Sequence, residues 1–345
     1  MRAFRMIGAN AAALEDVPEP VPGPGEVRLD VLAAGVCRSD LAVLAGGVAA
    51  GYALPFTFGH EICGRVAALG PGEHPVAIGD QVVVHAPVGC GKCGRCGHGE
   101  TNYCDNSGSL TAAGLGLGLD GGMAEAVTVD SARLVAADGL DPVQASVLAD
   151  AGLTSYHAVA GSLPMLSQPE AVAVVIGVGG LGHLALGVLQ SLTDARVIAV
   201  DTREEALELA RAHGATTAVA LESAAEAVAA ATGGRGADVV FDFAAAPSSV
   251  ELAPSLLRTA GDLVVVGSGG GVLPVTKPGP LPAGCRIRLP FWGSRNELTA
   301  VVALARGGSL PVRAEVFGLS EAGRVFDLLR AGKITGRAVL DPRRG

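Results

Sequence analysis

The sequence is poor in aromatic side chains and in positive charge, and it opens without an apolar leader. Aromatic residues make up 3% of its 345 positions, with one Trp and three Tyr. A core built without them closes on small and branched aliphatic residues, and the 50 glycines with abundant Ala, Val and Leu describe such packing. Because the glycines fall between apolar runs, the composition excludes a disordered chain. Formal net charge is −9. Nucleic acids and anionic membranes need a basic stripe, so neither is an expected partner. The opening Met1-Arg2-Ala3-Phe4-Arg5-Met6 carries charge but no apolar core or cleavage site, which predicts a cytoplasmic protein without a secretory signal. The stretch 171–193 runs 23 residues without Asp, Glu, Lys or Arg, the length of a membrane span. Gly177, Gly179, Gly180 and Gly182 interrupt it, and a strand, turn and helix account for it better. Neither an internal repeat nor a low-complexity tract is evident.

Cysteines are few but grouped. Four of the seven form Cys90-x2-Cys93-x2-Cys96-x7-Cys104. This complete thiolate set suits zinc or iron–sulfur chemistry and, with no open position, reads as a scaffold site. A disulfide framework belongs to short secreted chains, whereas this quartet is local in a long one. Cys37, Cys63 and Cys285 remain to be explained, the last two as buried thiols.

The length predicts two domains. The first 150 residues are rich in Gly and Pro, with short apolar runs at 27–32, 64–68, 81–85 and 124–129. That texture predicts an irregular, mostly antiparallel β domain, with the Pro-rich 17–25 stretch as an extended surface connector. After Asp150, apolar strands at 171–176, 196–200, 239–241 and 263–266 alternate with helical stretches at 204–213, 224–231 and 248–259. The alternation predicts a doubly wound parallel sheet. From about Arg295 the patterning is mixed again, with a helix at 321–331 and a last strand at 336–340.

Gly177-Val178-Gly179-Gly180-Leu181-Gly182 follows one of those strands and opens an apolar helix, with Asp201 nineteen residues past Gly182. Strand, glycine turn, helix and acid together form a dinucleotide fingerprint: the glycines let a pyrophosphate approach the helix N-terminus, and the acid accepts from ribose hydroxyls. Asp201 would repel a 2′-phosphate, so NAD is expected over NADP; Arg203 is read as a solvated residue at a helix start.

Cys37-Arg38-Ser39-Asp40 and Gly59-His60-Glu61 are weak fragments alone. With the quartet, the fingerprint, Asp201 and the closing Thr335-Gly336-Arg337, in this order and spacing, the chain resembles the zinc-dependent medium-chain alcohol dehydrogenases over essentially its full length. Bacterial NAD-dependent secondary alcohol dehydrogenases are the type it is most similar to. The resemblance implies an α/β protein with a GroES-like zinc-binding domain at 1–151 and 295–345 and a Rossmann domain at 152–294. It implies two Zn2+ per chain, one on the quartet and one on Cys37, His60 and Asp150, with a fourth position left for substrate. Many relatives have a cysteine where this chain has Asp150, and Asp is also a favoured cap for a helix over 151–160.

In the catalytic centre the resemblance assigns Ser39 to a proton relay, Asp40 to orienting His60, and Glu61 to a carboxylate behind the metal that could pair with Arg337. Relatives carry a histidine where this chain has Ala42, so the relay ends in water. Arg38 and Arg337 correspond to pyrophosphate contacts and Thr154 to a nicotinamide-side position; ion pairing and a helix-facing hydroxyl are the structural alternatives. Tyr52, His85, Val88, Leu115, Phe291 and Trp292 are substrate-pocket candidates, although large apolar residues also serve cores and interfaces. His157 and His183 are read as structural. A homodimer or homotetramer is expected, its coenzyme domains paired edge to edge near 287–292. The implied reaction interconverts secondary alcohols and ketones. Alternatives are a polyol or aldehyde dehydrogenase of the same superfamily, a biosynthetic carbonyl reductase acting on a larger metabolite, or a non-catalytic NAD-binding protein of crystallin type, which would not need an open zinc site.

Overall fold

The computed structural model describes residues 1–46 and 51–344, and these divide into two compact units. The first comprises Met1–Leu153, Trp292–Gly307 and Val312–Gly345; the second comprises Thr154–Phe291 with the short return Gly308–Pro311. No helix among the described residues is long and apolar enough to cross a membrane.

The first unit is built on a largely antiparallel sheet in the order Leu134–Ala136, Gln81–Val84, Glu61–Leu69, Glu26–Val36, Arg337–Asp341, Ala314–Gly318. The eleven-residue strand Glu26–Val36 organises it. Along one edge it pairs with Glu61–Leu69; along the other it meets Ala126–Asp130 first and Arg337–Asp341 later. Its end therefore carries Cys37 beside the start of the strand that carries Arg337. The small-residue composition serves this sheet, whose core closes on Val, Leu and Ala around a cluster of Phe4, Phe56, Phe58 and Phe326.

The second unit holds a six-stranded, all-parallel sheet in the order Thr217–Val219, Arg196–Val200, Val172–Ile176, Ala237–Asp242, Leu257–Val265, Arg286–Arg288. The chain winds outwards from Val172–Ile176, then crosses back to start the other half at Ala237–Asp242. That reversal creates the crevice at which doubly wound sheets bind ligands.

Three local expectations change. The helix expected over 248–259 is Pro247–Leu256, because Leu257 turns extended to pair with Ala237. The helix expected from Ala151 begins at Pro142, capped by the Asp141 side chain, and runs helically through Ala160. Asp150 thus stands inside a helical run, and the capping reading is withdrawn. The edge strand expected near 287–292 stops at Arg288, ahead of Pro290, which has no N–H to pair.

Candidate active site

Four local structures converge on one buried cluster in the first unit. Cys37 follows the long central strand and caps the helix Arg38–Leu44, where its N–H donates to Asp40 Oδ2 at 2.8 Å. Asp40 Oδ1 lies 3.3 Å from Nδ1 of His60, the residue just before the strand Glu61–Leu69. One carboxylate therefore holds the backbone of one candidate ligand and lies beside the ring of another. Asp150 comes from the π-helical turn Leu148–Gly152, in which Leu153 N–H reaches back five residues to Leu148 O. Such turns concentrate at functional sites.

Asp150 Oδ2 lies 3.5 Å from Cys37 Sγ and 3.5 Å from His60 Nε2. Tetrahedral zinc with bonds of about 2.0–2.3 Å separates its ligand atoms by about 3.3–3.8 Å; Asp150 Oδ2 meets both its partners in that range, and the three donors lie within 4.8 Å of one another. Charge supports the same reading. Asp40, Glu61 and Asp150 are buried with Arg337, three carboxylates against one guanidinium, before the Cys37 thiol is counted. Such a surplus is costly unless a cation or protons offset it; against the desolvation of its burial, Asp40 and Asp150 hold the His60 ring well above its ordinary value. Ser39 Oγ is 3.4 Å from Cys37 Sγ.

Behind these donors, Arg337 gives Nε to Glu61 Oε2 at 2.9 Å and Nη2 to Glu61 Oε1, with Nη2 also 3.5 Å from Asp150 Oδ2. Burial, opposed only in part by Arg337, raises the Glu61 carboxyl to about 7. Two of the donor atoms of Arg337 are thereby engaged at the metal cluster, whereas Arg38 is exposed.

The sulfur quartet forms a second cluster, its four sulfurs within 4.8 Å of one another. Asn106 Nδ2 donates to Cys90 Sγ at 3.2 Å and, with the Lys92 backbone, lowers that thiol to about 6. Burial and the neighbouring sulfurs raise Cys96 to about 12, the expected conflict among thiols that a cation resolves. Asn106 was not legible as a partner because nothing in its spacing marks it. Cys63 is buried with its thiol pushed up to about 12, which makes it inert. Cys285, expected to be buried, is only partly so and packs against the core of the second unit.

In the second unit Gly177 adopts φ +88°, and a Cβ on Gly182 would collide with Gly177 O. A Cβ on Gly179 would meet nothing within 4 Å, so backbone there is open to a phosphate. Gly180 and Leu181 complete the turn into the helix Gly182–Leu192. Asp201, at the end of the next strand, accepts from Val178 N–H at 2.8 Å and from Arg203 N–H at 3.0 Å. Arg203, expected to be solvated, also has Nε 3.4 Å from Asp201 Oδ1. His183 Nδ1 is 2.8 Å from Gly179 O, so it braces the glycine turn itself. Thr154 is buried at the start of this unit.

The pocket candidates separate. Trp292 is buried with its ring edge-on to His60 at 5.7 Å, in a left-handed backbone at φ +50°, and Leu115 belongs to the same core cluster. Phe291 is about half exposed and falls in the other unit. Tyr52 packs edge-on against Phe56, and Val88 N–H donates to Ala113 O. His85 Nε2 faces Gly293 O at 2.9 Å; a carbonyl only accepts, so Nε2 carries the proton.

Burial lowers His85 from 6.5 to about 4, so the folded protein keeps it neutral where the unfolded chain protonates it. Between those values the unfolded state binds more protons, so stability falls as pH falls, by about 3 kcal/mol in all. His85→Gln should flatten the pH dependence of the urea midpoint between pH 6.5 and 4; an unchanged slope would refute a neutral His85.

A profile of the Alcohol dehydrogenase GroES-like domain matches residues 23–139, and one of Zinc-binding dehydrogenase matches residues 180–306. The chain is 34% identical to the NAD-dependent alcohol dehydrogenase of Sulfolobus acidocaldarius, over 95% of each chain. It is 31% identical to the D-arabinose 1-dehydrogenase (NADP(+)) of Saccharolobus solfataricus, over 96% of this chain and 94% of that one. The crystal structure of the alcohol dehydrogenase of Aeropyrum pernix is similar with a TM-score of 0.91 at 33% identity, covering 99% and 100% of the two chains. With a donor cluster that fits zinc, a sulfur quartet and a dinucleotide turn on this fold, the chain belongs to the zinc-dependent medium-chain alcohol dehydrogenases.

Proposed function

We propose that this enzyme interconverts secondary alcohols and ketones with NAD. The observation that carries the reading is the convergence of Cys37 Sγ, His60 Nε2 and Asp150 Oδ2 at zinc-like separations in a buried, negatively charged cluster. When bound, zinc would polarise the substrate oxygen and lower an alcohol's pKa, and the nicotinamide would exchange hydride with the substrate carbon.

The protein's own part is to hold, orient and move protons. Cys37, His60 and Asp150 hold the catalytic zinc, and Cys90, Cys93, Cys96 and Cys104 the structural one. Asp40 fixes the His60 ring through Nδ1, leaving Nε2 for the metal. Ser39, beside Cys37, takes the alcohol proton and passes it to water, since Ala42 offers no acceptor. Gly177, Gly179, Gly180, Leu181 and Gly182 cradle the pyrophosphate, with exposed Arg38 as its candidate cationic contact and Thr154 on the nicotinamide side; Arg337, expected beside Arg38, is instead buried against Glu61. Asp201 accepts from the adenosine ribose hydroxyls and repels a 2′-phosphate.

Trp292 and Leu115 offer an apolar wall, while His85 Nε2 is turned to the Gly293 carbonyl. A polyol needs free polar side chains around its hydroxyls, so this balance favours an apolar ketone or alcohol over a sugar. The edge strand Arg286–Arg288 followed by exposed Leu289 and half-exposed Phe291 supports a homodimer or homotetramer. Thiolate ligands at Cys37, Cys90, Cys93, Cys96 and Cys104, none of them in a disulfide, support a reducing, cytoplasmic setting.

Kinetics on a panel of primary and secondary alcohols, ketones, polyols and aldoses, with NAD and NADP, test the proposal. Secondary alcohols with NAD should give the highest kcat/KM, and Asp201→Ser should narrow the preference for NAD by about tenfold or more. A best substrate among the aldoses, or an unchanged cofactor ratio in the variant, would defeat the corresponding part.

A further inference from the structure

Glu61 is fully buried, and the chemistry above gives its carboxylate nothing to do at the substrate. Its reach is unusual. Glu61 lies opposite Gly35 in the sheet, and Arg337 belongs to the strand on the far side of Gly35. The Glu61 side chain crosses that middle strand to pair with Arg337. A Cβ on Gly35 would stand 2.8 Å from both Cβ and Cδ of Glu61 and would overlap Oε2. The bare glycine is therefore the passage through which the carboxylate extends.

At the end of that reach Glu61 Oε1 does more than pair a charge. It also accepts the N–H of Ala151 at 3.0 Å. Ala151 follows Asp150 inside the π-helical turn Leu148–Gly152. An extra residue in a helical turn takes a backbone N–H out of the regular ladder, and a buried N–H needs another acceptor. Relaxing the turn to ordinary α-helix would shift Asp150 by up to one residue, about 100° around the helix.

We propose that Glu61 is a positioning residue that fixes the π-helical turn by accepting the Ala151 N–H, and so sets the rotation at which Asp150 meets Cys37 and His60. Arg337 and the bare Gly35 hold the carboxylate at that reach. The inference rests on the reading of Cys37, His60 and Asp150 as a zinc site. It differs from a purely electrostatic role, in which Glu61 only balances the charge of Arg337.

Two double variants separate these roles, since both remove the ion pair and only one leaves a carbonyl at position 61. They are Glu61→Gln/Arg337→Met and Glu61→Leu/Arg337→Met. Zinc per chain would be followed by dialysis against graded zinc buffers, and the site geometry by the visible spectrum of the Co2+-substituted protein. The first variant should bind its second zinc within about tenfold of wild type. The second should bind it 10- to 100-fold more weakly than the first, as about expected when a ligand's support is lost, with displaced Co2+ bands. Equal affinities and spectra in the two would overturn the inference while leaving the zinc site intact. Should the second variant not fold, Glu61→Asp keeps the charge but shortens the reach, and wild-type zinc affinity there would overturn it equally. A wild-type protein holding one zinc per chain would remove the metal reading, and this inference with it.

Discussion

Asp150→Asn should lower turnover on the order of 10³-fold or more in a protein that still folds and binds NAD. The side chain keeps its shape but loses the charge of an oxygen that lies 3.5 Å from Cys37 Sγ and 3.5 Å from His60 Nε2. Polarisation by a metal is worth several kcal/mol of barrier, and about 1.4 kcal/mol is a factor of ten in rate. Zinc content should fall from two towards one per chain. The dinucleotide turn lies in the other compact unit, so NAD binding measured by fluorescence should persist. A variant that kept two zincs and more than a tenth of its turnover would show that Asp150 is not a ligand.

Cys104→Ser should have the opposite signature, in which stability and assembly suffer first. Between Cys90 and Leu110 the chain forms only the four-residue helix Gly94–Gly97 and two short 3-10 turns. The apolar cluster around Phe4, Phe58 and Phe326 takes no residue from this lobe. Sulfur contacts tie it together, with Cys104 Sγ accepting from Cys90 N–H at 3.3 Å and lying 3.9 Å from Cys93 Sγ, beside the ion pairs of Arg95 with Glu100 and Asp105. Structural zinc contributes about 10–16 kcal/mol to isolated fingers. A fraction of that, spread over a large domain, predicts a melting temperature lower by about 5–10 °C. Cleavage by trypsin after Lys92 or Arg95 should accelerate, with one zinc retained per chain. An equally stable variant with two zincs would contradict the division between scaffold and catalytic metals.

Much of this architecture was legible because its signals are local. The quartet is contained in fifteen residues, and the strand, glycine turn and helix around Gly177 lie within a single stretch. Strand and helix periods located most elements, and failed where long-range pairing outweighed local preference. Leu257 has the apolar character of either state and became a strand because Ala237 offers it a partner. The Asp150 cap failed for the opposite reason: Asp141 caps the run earlier, with Pro142 at its first position.

The sequence by itself determined which chemistries the chain can support, since ligand types, a thiolate quartet and a glycine turn are properties of neighbouring residues. Tertiary structure alone decided how the catalytic pieces meet. Cys37 and Asp150 are 113 residues apart, and Glu61 and Arg337 are 276 apart, so no local pattern records their contact. The bare backbone of Gly35 and the N–H of Ala151 carry no side-chain signal at all, yet they govern where Glu61 reaches and how Asp150 is turned. Such groups acquire meaning only through sheet register and helical rotation, which the packing of the whole unit fixes.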